Sequence, residues 1–283
     1  MNKGKKTYLL ALLPFFLLIL LYELIPLAII LIRSFMPEGG AVGFTLTHYM
    51  SIFTKRLYQQ AVLNSVAVSL FSAAAGLFIA FFAAKAACEA SGRMRGFFVS
   101  VLNMTSNFAG IPLAFAYIIL LGKVGVLVMI GKSLGVSALA EFDLYSLWGL
   151  MITYVYFQVP LATLLLIPSF SGLQRQWREA VSLLGGTSLR YWIKVGVPVL
   201  MPGILGTASV LFANSLAAYA TAYALLQNNF SLLPIRIAEQ FVGDVLQRKE
   251  FGSALAVVMM ALMVAAISIQ NWLLKRQIGG RGK

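Results

Sequence analysis

The chain predicts an all-α polytopic membrane protein: six transmembrane helices, with a polar helix–glycine turn–helix segment on the cytoplasmic side between the fourth and fifth. Three observations predict it. Of the 283 residues, 60% are hydrophobic and only 11% are Asp, Glu, Lys or Arg, against about 25% charged in a soluble domain. The mean hydropathy is +0.87. The apolar residues gather into six runs of about 21 to 27 residues, each long enough at roughly 1.5 Å per residue to cross a hydrocarbon core of about 30 Å. So few charges cannot cover a soluble protein of this size, whereas a lipid-facing surface needs none. The whole chain, residues 1–283, reads as one transmembrane domain.

The first span is expected over residues 8–32. It follows a basic start, MNKGKK, and is too long for a cleaved leader, with no small-residue cleavage site after it. Glu23 and Pro26 interrupt it; interfacial placement of Glu23 near Arg33 is favoured over a buried functional carboxylate. Pro37–Gly40 mark a turn, and the stretch to Gln60 reads as a short amphipathic interfacial helix. The second span, 61–84, has no charge. Its Ala73–Gly76 stretch would let a neighbouring helix approach closely. Residues 85–96 read as a short basic loop.

The third span, 97–121, holds Asn103, Thr105, Ser106 and Asn107, then Gly110 and Pro112. Amides in hydrocarbon are costly unless they meet protein or water, and a Gly/Pro break at this depth is tolerated where backbone lines a cavity. A pathway surface and simple interhelical hydrogen bonding both account for these residues. The fourth span, 144–170, contains Tyr154, Tyr156, Gln158 and Pro160. The fifth, 204–226, contains Asn214, Tyr219, Thr221 and Tyr223. The sixth is 254–274. Asn103, Asn107, Tyr154, Gln158, Asn214 and Tyr219 are the candidates for lining a substrate pathway.

Orientation follows from the bases. The amino terminus, loop 85–96, the segment between spans four and five, and the tail share fourteen of the twenty-two Lys and Arg; the alternate loops share eight. Seven of the nine acidic residues, Glu141, Asp143, Glu239, Asp244 and Glu250 among them, fall on the poorer side. The base-rich side is cytoplasmic, which puts both termini there. Positive loops account for the net charge of +13 without nucleic acid. Cys88 is alone, so no intrachain disulfide forms, and with a single histidine, His48, no His/Cys metal site is expected. Gly131-Lys132-Ser133 resembles the end of a phosphate-binding loop, but Val126 stands where that loop needs glycine. No catalytic residues and no cofactor are expected in this chain.

The segment 171–200 is the most patterned polar stretch. Trp177, Ala180, Val181 and Leu184 recur at spacings of three and four, an apolar face on a short helix, with Arg175 and Glu179 an i,i+4 pair off it. Gly185-Gly186 breaks that helix, and Thr187 or Ser188 caps the next. Leu189, Trp192, Ile193 and Gly196 continue a second amphipathic helix. Val197-Pro198 is expected to end it and begin the turn into the membrane.

That spacing resembles the cytoplasmic signature of the inner-membrane permease subunits of binding-protein-dependent ABC importers: Glu-Ala-Ala, three residues, Gly, nine residues, Ile, any residue, Leu-Pro. Here Glu179-Ala180-Val181, Gly185, Val195, Val197 and Pro198 stand at those spacings. Glu, the first Ala, Gly and Pro match, and Val replaces the second Ala, the Ile and the Leu. The six-span topology extends the resemblance along the chain. It implies that Glu179, Ala180, Val181, Leu184, Gly185, Gly186 and Pro198 couple the spans to a separate ATP-hydrolysing subunit, which would hold ATP and Mg. A small residue at 180 would permit close docking, Gly185 the sharp turn, and Pro198 would set the re-entry angle. It further implies two ATPase copies, a second permease chain (identical or related) and an extracytoplasmic binding protein as partners, in a bilayer and without nucleic acid. SNFAGIPLAFAYIILLG and ANSLAAYATAYAL resemble the branch handling polyamines, thiamine, iron, phosphonates and sulfate; the expectation leans to a polyamine-type cation. A self-sufficient secondary transporter or channel is the alternative. It would want charges inside the spans, and spans two to six have none. A membrane enzyme would want clustered His, Asp or Cys.

Overall fold

The computed structural model describes residues 12–41, 43–227, 229–242 and 247–279. Lys3, Lys5, Lys6, Asp244, Arg281 and Lys283, with the start of the first span, lie outside the described residues. Everything regular among the described residues is helical: α1 Leu12–Arg33, α2 Thr47–Thr54, α3 Arg56–Glu89, α4 Gly92–Ser106, α5 Ile111–Leu121, α6 Val126–Leu134, α7 Ser137–Ala140, α8 Leu147–Ser171, α9 Arg175–Leu183, α10 Ser188–Ala217, α11 Tyr219–Leu226, α12 Leu233–Phe241 and α13 Lys249–Gly279. Among the described residues six stretches are long and apolar enough to cross a membrane: α1, α3, Ile111–Leu134, α8, α10 and Lys249–Arg276.

Several bounds differ from the expectation. Helix α3 runs past residue 84 to Glu89 and α4 starts at Gly92, so the basic loop of 85–96 shrinks to Ala90-Ser91. The third span is broken at Asn107–Gly110, and the stretch of spanning length there is Ile111–Leu134 rather than 97–121. The fifth starts sixteen residues early, at Ser188, and is interrupted at Ala218. Pro198 therefore does not end a helix. A π-helical turn, Trp192–Gly196, precedes it, and Val197 N–H bonds Trp192 O. The wide turn absorbs both the missing N–H and the pyrrolidine ring, so the helix runs on through Pro198 into the span. The same device stands at the first span, where π turn Leu20–Leu24 precedes Pro26 and carries the exposed Glu23.

Contacts divide the chain into two compact units, 1–59 with 236–261 and 60–235 with 262–283. In the first, Phe35 stacks on Phe44 and meets Tyr49. Tyr49 Oη donates to Ser34 Oγ at 2.8 Å, and the buried His48 pairs its Nε2 with Met36 O at 2.8 Å. Arg248 Nε donates to Glu38 Oε1 at 2.8 Å, with the guanidinium over the Phe251 ring. No side chain of α1 is buried, as expected of a helix facing lipid or another chain.

In the second unit one apolar cluster joins Val68, Leu113, Leu150, Phe157, Ala222 and Leu225; another joins Ala73, Ala80, Ala84, Ala162, Leu166 and Leu200. The second is built from α3 alanines, which let α8 approach. At Gly76 an added Cβ would lie 2.7 Å from Gln158 Cβ, so the Ala73–Gly76 stretch does permit the expected close approach.

Candidate functional site

Two places concentrate features that helix packing alone does not require. The first is the turn after α9. Helix α9 covers the expected residues, and Arg175 Nε stands 3.3 Å from Glu179 Oε1, both side chains well exposed. Its end is a Schellman motif: Gly186 N–H bonds Val181 O at 2.8 Å and Gly185 N–H bonds Ser182 O at 3.0 Å, with Gly185 at φ +73°. The two glycines are needed for different reasons. Gly185 supplies the left-handed conformation, with open space where a Cβ would stand; at Gly186 a Cβ would fall 2.6 Å from Val181 Cγ1. Thr187 Oγ1 then accepts from Arg190 N–H and caps α10.

The exposed face differs from the predicted one in part. Trp177 and Val181 are half-buried, but Ala180 and Leu184 stand in the open, Leu183 and Leu184 at 89% and 86% exposure. In α10 the covered side is Tyr191, Trp192 and Gly196, whereas Leu189 and Ile193 are exposed. The Trp192 ring lies against Gly196, where a Cβ would fall 2.6 Å from Cε3. Glu179 is exposed. The turn thus presents uncovered leucines on a short rigid helix, held to the span by an unbroken α10.

The second place is a pair of helix breaks that meet. Gly110, at φ +73°, ends the Asn107–Gly110 break before α5. Ala218, at ψ 82°, interrupts α10 and α11. Thr221 Oγ1 donates to Gly110 O at 3.2 Å, and a Cβ at Gly110 would sit 3.6 Å from that of Ala220. Tyr154 Oη donates to Ala218 O at 2.5 Å. Tyr154 thereby satisfies the Ala218 carbonyl, and Thr221 adds a second donor to the Gly110 carbonyl, which already accepts Ala114 N–H at 3.2 Å, the condition for irregular backbone at membrane depth.

The six predicted pathway residues separate around these breaks. Tyr154 and Gln158 are buried ties. Gln158 Nε2 donates to Leu211 O and Ser215 Oγ, both at 2.7 Å, and Ser215 Oγ meets Ser72 Oγ at 2.7 Å. This network joins α3, α8 and α10. Asn103, Asn107, Asn214 and Tyr219 are exposed. Asn103 and Asn107 bond their own helix, Nδ2 to Val99 O at 2.9 Å and to Asn103 O at 2.8 Å. Tyr219 stacks on Tyr223 at 5.3 Å, in a plane tilted by 24°. Sequence reasoning missed Ala218, Thr221 and Tyr223 as site residues. Gly110 carried a signal, a glycine before Ile-Pro; Ala218 carried none.

No protein-family model matches the chain. It is 25% identical to the sulfoquinovosyl glycerol transport system permease protein SmoH of Agrobacterium fabrum over 80% of this chain and 71% of that one. It is also 25% identical to the spermidine/putrescine transport system permease protein PotB of Haemophilus influenzae, over 92% of each. Among solved structures, a bacterial ABC transporter involved in import of the acidic polysaccharide alginate superposes with a TM-score of 0.71 at 14% identity, over 96% of each chain. That likeness establishes the fold. These relatives are permease subunits serving different solutes, and the described residues hold six stretches able to cross a bilayer; the chain is a multi-pass membrane protein similar to the permease subunits of ABC importers.

Proposed function

We propose that this permease couples ATP hydrolysis in a separate subunit to solute passage through α9 and the Gly185-Gly186 turn. The observation that carries the proposal is the Schellman-capped helix with its uncovered Leu183 and Leu184. Leu183 and Leu184 lie uncovered side by side at the end of an otherwise polar helix, next to a glycine-fixed turn, an apolar patch suited to a partner's groove. Glu179, Ala180, Val181, Leu184, Gly185 and Gly186 form the docking element. Pro198 acts differently from the sequence expectation: it sits within the continuous α10 and transmits motion along it instead of setting a re-entry angle. ATP and Mg belong to the partner, present in two copies, with a second permease chain and an external binding protein completing the assembly. The α9 side faces the cytoplasm, as the excess of bases there supports, and both termini lie on that side.

In the proposed pathway, Asn103, Asn107, Asn214 and Tyr219 line the surface beside the paired breaks, while Tyr154 and Gln158 hold the break geometry from behind. The solute is small and hydrophilic. A polyamine-type cation is the first reading, supported by the spermidine/putrescine permease that matches over 92% of both chains. A neutral sugar is the second, favoured by the stacked Tyr219 and Tyr223 and by the lack of any carboxylate in residues 61–84, 97–121, 144–170, 204–226 and 254–274. Tagged chain purified from its native membrane should bring down ATPase activity. Vesicles holding that complex should take up solute only with ATP, and competition between spermidine and a disaccharide separates the two solutes. Uptake by this chain alone would contradict the coupling reading.

A further inference from the structure

We propose that the cleft beneath α9 binds the headgroup of an anionic phospholipid, with an acyl chain lying in the apolar trough between α4 and α8. This rests on the reading that the α9 side is cytoplasmic. The cleft has a volume of about 1190 Å³ and brings together Lys85, Arg95, Arg175 and Arg178 from three separate helices. Two acids share it. Glu179 is committed to Arg175, and Glu89 stands exposed at the end of α3. Among the described residues Lys85, Arg95 and Arg178 have no ion pair. Lys85 Nζ sits 5.1 Å from the centre of the Trp192 ring, and Arg95 Nη2 reaches Ser171 Oγ at 3.4 Å. Four bases against two acids, with three of the bases outside any ion pair, converge on one cavity that Phe170 and Trp192 also line. That is a phosphate-binding arrangement.

A second observation selects a lipid over a free anion. Arg95 also lines a trough of about 480 Å³, shared with Gly92, Gly96, Val99, Leu164 and Ile167. A Cβ at Gly92 or Gly96 would meet nothing within 4 Å, so the glycines leave a channel open along α4 beside the spanning α8. A charged cleft that continues through one arginine into an apolar channel matches an amphiphile with a phosphodiester at one end. A bound lipid would brace α9 against α4 and α8, so the turn would stand on a lipid-filled seat.

The test uses the full chain in detergent micelles with equimolar phosphatidylglycerol and phosphatidylcholine of identical acyl chains, read by native mass spectrometry. Phosphatidylglycerol should be retained preferentially. Lys85→Gln with Arg95→Gln should weaken that retention roughly thirty-fold and each single change about five-fold, since each base near the surface attracts an anionic lipid. Lys123→Gln, which lines neither cavity, should leave it unchanged. Gly96→Leu fills open space, so the fold is kept and the acyl channel blocked; retention should fall without loss of any base. Millimolar inorganic phosphate should not displace the lipid. Equal retention of the two lipids by the unaltered chain, or retention insensitive to Gly96→Leu and abolished by inorganic phosphate, overturns the proposal. Retention is read without any transport step, so failure of the coupling reading and absence of a lipid site give different results. Should the double variant not fold, the lipid comparison and Gly96→Leu still decide.

Discussion

Gly185 offers the sharpest perturbation of the proposed coupling turn, because steric crowding and backbone conformation separate there. Its φ of +73° lies in the left-handed region, and no atom stands within 4 Å of an added Cβ. Gly185→Ala therefore introduces no clash and costs only the left-handed strain, about 1 to 2 kcal/mol. Gly185→Asn tests the same backbone at a smaller cost, since Asn visits this region readily. Gly185→Pro cannot adopt the conformation, and it also deletes the N–H that bonds Ser182 O at 3.0 Å. Adding about 1 kcal/mol for that bond puts its cost at roughly 3 kcal/mol or more. With 1.4 kcal/mol per factor of ten, the population of the native turn falls about five- to thirty-fold for Ala and a hundred-fold or more for Pro. The assay is ATP-driven uptake and ATPase activity of the purified assembly in vesicles. Solute carried per ATP should fall in the order wild type, Asn, Ala, Pro, with all four proteins inserted in the membrane to the same extent. Wild-type uptake by the Pro variant, or an order with Asn worse than Ala, would refute the argument that this turn holds the lever.

Three further outcomes are expected. Tyr154→Phe removes the donor to Ala218 O and leaves a half-buried carbonyl unpaired; thermal melting should report a loss of about 1 to 3 kcal/mol, and uptake should fall because the break in α10–α11 is no longer held. Gly76→Leu drives a side chain into Gln158, whose Cβ would already stand 2.7 Å from a Cβ there; overpacking should cost about 1 to 3 kcal/mol, whereas the same change at the open Gly92 should cost much less. In a Cys88→Ser background, Leu184→Cys should react with a membrane-impermeant thiol reagent only from the cytoplasmic side and Val242→Cys only from outside; both residues are more than four-fifths exposed. Reaction of both from one side would overturn the topology.

The class of this protein, its six crossings and the glycine-punctuated segment after span four were legible because each rests on composition or local pattern. Hydrophobic runs measured against bilayer thickness need no partner to be recognised. The helix at 175–183 follows from periodicity, and Gly185 from the rule that only glycine ends a helix this way cheaply. Tertiary structure decided what local pattern cannot encode. Pro198 reads as a stop, yet a π turn stabilised within α10 carries the helix through it. Ala217-Ala218 reads as good helix, yet the helix breaks there and Tyr154, sixty-four residues away, satisfies the released carbonyl. Tyr154 and Gln158 read as pathway residues because a polar side chain inside a span looks alike whether it faces solute or a neighbouring helix; only packing showed that both tie helices together while the exposed Asn103, Asn107 and Asn214 remain. The sequence by itself therefore determined the solvent each segment prefers and the local ends of its helices. The tertiary structure decided which polar groups meet and which stay open, because those pairings join residues far apart in the chain and their partners are fixed only by how the helices pack.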